Sequence, residues 1–65
     1  MNAYQPRWIV QDRETGLFLG FEDGDIAPVR LVKYAVQFET QENALLTALN
    51  WCDAGYVVFE FFVPV

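Results

Sequence analysis

Thr40-Gln41-Glu42-Asn43-Ala44-Leu45-Leu46-Thr47-Ala48-Leu49-Asn50-Trp51-Cys52-Asp53-Ala54-Gly55 followed by Tyr56-Val57-Val58-Phe59-Glu60-Phe61-Phe62-Val63-Pro64-Val65 decides the fold. Thr40 suits an N-cap, and Glu42 falls in the first turn, where the helix dipole favours a negative charge. The pattern predicts a helix from Gln41 to Asp53. At 100° per residue Ala44, Leu45, Ala48, Leu49 and Cys52 line one stripe, with Trp51 at its edge and Leu46 on the far side. Gly55 is the expected stop. The closing strand has no polar face: Val57, Phe59, Phe61 and Val63 alternate with Tyr56, Val58, Glu60 and Phe62. Such a strand is normally central and covered on both sides. One helix covers one side, so the pattern leaves apolar surface to account for.

Working back towards the N-terminus, Arg30–Phe38 alternates Val32, Tyr34, Val36 and Phe38 with Leu31, Lys33, Ala35 and Gln37. A third strand explains that alternation and is the preferred reading; a helical turn over Leu31–Tyr34 followed by a short strand is the alternative. Ile26-Ala27-Pro28 reads as irregular, because proline constrains the residue before it. Glu22-Asp23-Gly24-Asp25 is a polar turn. It resembles a fragment of a calcium loop but lacks the further ligands and the closing glutamate. Arg7–Gln11 and Leu17–Phe21 read as two strands of a hairpin turning at Asp12–Gly16, with Leu17, Leu19 and Phe21 on one face. Residues 1–6 are expected to be a loose arm.

These elements predict one α+β domain over residues 1–65, in ββ(β)αβ order: a three- or four-stranded, mainly antiparallel sheet with one helix on one face. At 65 residues the chain is near the lower limit for folding without a staple, and one cysteine and no histidine offer none. The apolar load is heavy: 54% hydrophobic residues, including two Trp, three Tyr and six Phe. That favours a dense core, a sticky surface, or both.

Nine acids against four bases give a net charge of −5, the wrong sign for binding nucleic acid through phosphates or for an anionic membrane. It suits a basic protein groove, or the mimicry of a phosphate array. The chain has neither His nor Ser, which removes the usual nucleophile pairs, so no enzyme activity is expected. Cys52 sits on the core stripe. No cofactor or metal is called for. No basic, apolar leader precedes the fold, no run is long enough to span a bilayer, and the single thiol fits a reducing cytoplasm.

Glu39-Thr40-Gln41-Glu42-Asn43-Ala44-Leu45, then Ala48, Trp51, Ala54-Gly55-Tyr56 and Val63-Pro64 resemble the small host RNA-polymerase inhibitor family of T7-like phages. The likeness covers the last 26 residues, with one-residue slips in spacing. It implies a short acidic protein with a strand-rich fold and one helix that blocks a host enzyme. The arginines which that family carries on its last strand are replaced here by Phe59-Glu60-Phe61-Phe62. Anti-CRISPR proteins are similar in size and charge.

The resulting expectation is a non-catalytic phage or prophage protein that binds and sterically inhibits a host protein or protein–nucleic-acid complex. Leu46, Trp51 and Phe62 would be its anchors, and Glu22, Asp23, Asp25 and Glu42 its charged rim. The competing expectation is a small homodimeric assembly module whose bare sheet face pairs with a second copy.

Overall fold

The computed structural model describes residues 3–65. Its strands are β1 (Tyr4–Asp12), β2 (Phe18–Glu22), β3 (Asp25–Val29) and β4 (Tyr56–Pro64). They form one sheet in the order β3-β2-β1-β4, and every neighbouring pair is antiparallel. One helix, α1 (Gln41–Trp51), packs on one face. The architecture is the α+β sheet-plus-helix expected from the sequence.

Each turn has a local cause. Between β1 and β2, the Asp12 N–H donates to the Leu17 carbonyl at 2.8 Å and the Gly16 N–H to the Asp12 carbonyl at 2.8 Å. Asp12 Oδ1 also accepts from the Glu14 N–H, and Gly16 takes the left-handed conformation (φ 76°). Between β2 and β3 the two central residues, Asp23 (φ 53°) and Gly24 (φ 83°), are both left-handed, the geometry of a two-residue type I′ hairpin. Ile26-Ala27-Pro28 is therefore strand, not irregular chain. Asp-Gly between pairable residues is the strongest short hairpin signal. Pro28 is accommodated because β3 is an edge strand and Pro28 pairs with Leu19, whose carbonyl points away from β3 to Val36.

Three further expectations are corrected. The loose arm does not extend to Tyr4–Pro6, which belong to β1 and pair with Pro64, Val63 and Phe62; Met1 and Asn2 lie outside the described residues. Residues 30–38 are not one strand. A 3-10 turn spans Val32–Tyr34, and residues 35–38 are then extended. β1 and β2 pair at Gln11↔Phe18, and residues 35–38 run alongside both strands. The Val36 N–H reaches the Leu19 carbonyl at 2.9 Å, and Trp8 and Phe38 exchange hydrogen bonds of 3.0 and 2.8 Å. The third correction concerns β4, which lies at the edge of the sheet; β1 and β2 hold the interior positions.

The helix starts as expected, with Thr40 Oγ1 accepting from the Asn43 N–H at 3.1 Å, but it ends at Trp51, two residues short of Asp53. Ala44, Ala48 and Cys52 are buried against Val10 and Leu19, with Trp8, Ile26, Val36, Phe38, Tyr56 and Val58 around them. Small residues at i, i+4 and i+8 bring the helix close to the sheet, so the buried stripe is narrow. Leu45 is half-buried at its margin, whereas Leu49, expected in the core, is 62% exposed.

Candidate functional site

Strand alternation sorts the sheet into two faces. Val10, Trp8, Leu19, Ile26, Tyr56 and Val58 look towards the helix. Ile9, Phe18, Gly20, Val57, Phe59, Phe61 and Val63 fall on the opposite face. The 3-10 turn crosses this second face above β2. A Cβ at Gly20 would lie 2.7 Å from the Tyr34 carbonyl oxygen and 2.8 Å from Val29 Cγ1, so only glycine admits that approach. The β2 half of the sheet is thus covered on both sides. The β1–β4 half is not.

What remains open is a groove of about 680 Å³ lined by Ile9, Phe18, Val32, Lys33, Gln37, Phe59, Glu60 and Phe61. Its floor is aromatic and aliphatic, with Lys33 as the cation among the lining residues; Glu60 borders the groove but shares the parity of Val58, which places its carboxylate on the helix side. Glu22 and Asp25, paired across the type I′ turn, share this face by register with Phe18 and Val29. An apolar floor on a face that also carries carboxylates can bury apolar side chains and attract positive charge.

The residues singled out from the sequence are distributed unevenly. Glu22, Asp23 and Asp25 sit together in the β2–β3 turn, while Glu42 is in the first turn of α1, on the other side of the sheet. Leu46, Trp51 and Phe62 are exposed. They do not form one patch. Trp51 borders a small hollow with Asp12, Leu17 and Pro28, whereas Phe62 pairs with Pro6, six residues further along β4 than Tyr56, the partner of Asp12. That separation is about 20 Å along the strand. Phe62 also belongs to the helix side, four residue pairs beyond the Val10↔Val58 pair. The groove instead uses Phe59 and Phe61, the opposite parity of β4. The alternation was visible in the sequence, but which parity the helix covers depends on the β1–β4 register.

No protein-family model, curated protein or solved structure matches this chain.

The outer edge of β4 carries a second kind of chemistry. Even-numbered residues of β1 direct their backbone away from β4: the N–H groups of Trp8 and Asp12 go to Phe38 and Leu17. Odd-numbered β1 residues therefore bond to β4, through Val63, Phe61, Phe59 and Val57. It follows that Tyr56, Val58, Glu60 and Phe62 turn their N–H and C=O groups outward, beyond the last strand of the sheet. Cys52, by contrast, is buried under the helix. Burial pushes its thiol pKa up, and the carboxylates of Asp12 and Asp53 add to the shift. A thiol held protonated in this way is a packing group.

Proposed function

We infer that the chain is a non-catalytic binding protein of the small phage-encoded inhibitor type, which occupies and sterically blocks a surface of a larger host protein. The open groove of Ile9, Phe18, Phe59 and Phe61 carries this reading. A chain of this size gains from burying such a floor, and the protein exposes 4802 Å². A folded monomer of 7.5 kDa is expected to expose roughly 4,200 Å². The excess, roughly 550 Å², is of the order of one side of a stable interface, about 800 Å². The net charge of −5 favours a basic partner, and Glu22 and Asp25 lie on the groove side to steer it. RNA polymerase and CRISPR effector complexes are the classes of target this reading names, and the cytoplasm of the bacterial host is where they would meet.

The test is affinity capture from a bacterial lysate with wild-type chain and with Val32→Asp, which places a charge on the groove wall away from β4. A specific partner should be retained by the wild type and released as salt rises. Its affinity should fall at least about tenfold with Val32→Asp. Retention that ignores both salt and the substitution would remove the groove from the account.

A further inference from the structure

We propose that two copies of this chain join edge to edge through β4, in an antiparallel two-fold arrangement centred on Phe59, and that this makes one continuous eight-stranded sheet from two of four. The inference rests on the outer backbone of β4, which has no pairing strand among the described residues, and stands independently of the inhibitor reading.

Natural edge strands are kept from pairing by shortness, lysine, proline, bulges or cover. β4 has nine residues, one charged side chain (Glu60) and a proline only at its end. Its pairing with β1 runs without interruption from Tyr56 to Pro64. The helix lies mainly over β1 and the 3-10 turn over β2, so neither covers the outer side of β4. Four residues, Tyr56, Val58, Glu60 and Phe62, therefore present both an N–H and a C=O in strand geometry. A strand is the ligand that satisfies such an array.

The occupant is a second copy because the strand is complementary to itself in one register. With Phe59 on the two-fold axis, Val58 faces Glu60 of the partner and Tyr56 faces Phe62 of the partner. All four outward residues then exchange hydrogen bonds, each as a bonded pair. On the open face Phe59 meets its own copy and Phe61 meets Val57 of the partner, both apolar pairs. Centring on Glu60 would set two carboxylates directly opposite. Centring on Phe61 would set Val58 against Pro64, which has no N–H. Only the Phe59 register avoids both faults and uses the whole array. It also lays the two grooves side by side, since Phe59 and Phe61 line each of them.

Sedimentation equilibrium of the full chain at up to about 100 µM tests the proposal, an affinity range in which a stable edge pairing is populated. The wild type should show twice the 7.5 kDa monomer mass. Glu60→Pro should show the monomer mass with an unchanged circular dichroism spectrum, because the residue 60 N–H faces away from β1. Pro6, Pro28 and Pro64 already occupy positions of that kind in this sheet. Register is read by cysteine cross-linking. Phe59→Cys should give a disulfide-linked dimer on mild oxidation, and Glu60→Cys should not, with the buried Cys52 silent in both. A wild type that stays monomeric overturns the pairing, as does a folded Glu60→Pro that remains dimeric. Cross-linking at residue 60 in preference to 59 overturns the register. A monomer that still captures its host target removes the pairing alone; a dimer that captures none leaves the pairing standing and removes the inhibitor reading.

Discussion

The two edges of this sheet, β3 and β4, are opposite in design and show how a small chain divides its apolar surface. β3 is short, begins at Asp25 and contains Pro28, so on its outer side only Ile26 presents an N–H. The 3-10 turn and the helix close both faces of the sheet beside it. β4 is nearly twice as long, carries one charge, and has cover on one face over part of its length. Residues spent on closing the β2–β3 half are not available to close the β1–β4 half. Among the described residues there is one α-helix to cover the sheet, and the ribbon of β1 and β4 extends past it. The shape agrees: the radius of gyration is 11.9 Å, against roughly 10.7 Å for a compact chain of this length.

The contrast is broken most forcefully at Gly20. Valine there would drive its Cβ into the Tyr34 carbonyl, and neither that backbone atom nor β2 has room to retreat. Gly20→Val is expected to cost about 3 kcal/mol and to lift the 3-10 turn off the sheet. Both halves would then be open, and dye binding to exposed apolar surface should rise together with the fall in melting temperature. A rise in dye binding without any loss of stability would mean that the turn contributes cover but no packing energy.

Val10 measures what the two halves share. It is the largest side chain with no exposure, on the central strand and against Ala44 and Ala48. Val10→Ala removes two methyl groups and leaves a cavity, for about 2 kcal/mol, or a drop of roughly 8–16 °C in melting temperature for a domain of this size. A core this small has little else to lean on, so denaturant unfolding should remain a single transition. Separate transitions for the two halves would show that the open half folds on its own.

How much of this was legible beforehand follows from which physics was local. The Thr40 cap and the β1–β2 turn depend on neighbours in sequence, and they were readable; Gly55 was expected to stop the helix, which instead ends at Trp51 and is capped by Cys52. The β2–β3 hairpin was readable too, from Asp23-Gly24, but the weight given to Pro28 obscured it. Proline is excluded only where an N–H must bond, and an edge position has no such requirement. The insertion of residues 35–38 beside β1 and β2 was not readable, because it depends on where those strands part. For the same reason the sequence showed that one parity of β4 would be bare but not which. It is the pairing of Val58 with Val10 beneath the helix that leaves Phe59 and Phe61 outside, and places Phe62 apart from the groove.

The smallest expected effect is also the sharpest check on where the closed half ends. Leu49 follows Ala48 directly, and helical periodicity assigned both to the buried stripe. Ala48 is fully buried and Leu49 is 62% exposed, because three small residues seat the helix so close to β1 and β2 that the next position turns past the sheet. Leu49→Lys should therefore change stability by no more than about 0.5 kcal/mol, as an exposed substitution does. Ala48→Lys would force a charge into the contact with Val10 and Leu19, and should prevent folding. The ratio between these two adjacent lysines, read by urea denaturation, gauges how abruptly cover gives way to open surface. Were Leu49→Lys to cost several times its expected amount in a wild type that sediments as a dimer and nothing in Glu60→Pro, Leu49 would belong to the interface between copies, and the boundary of the closed half would move outward by one helical position.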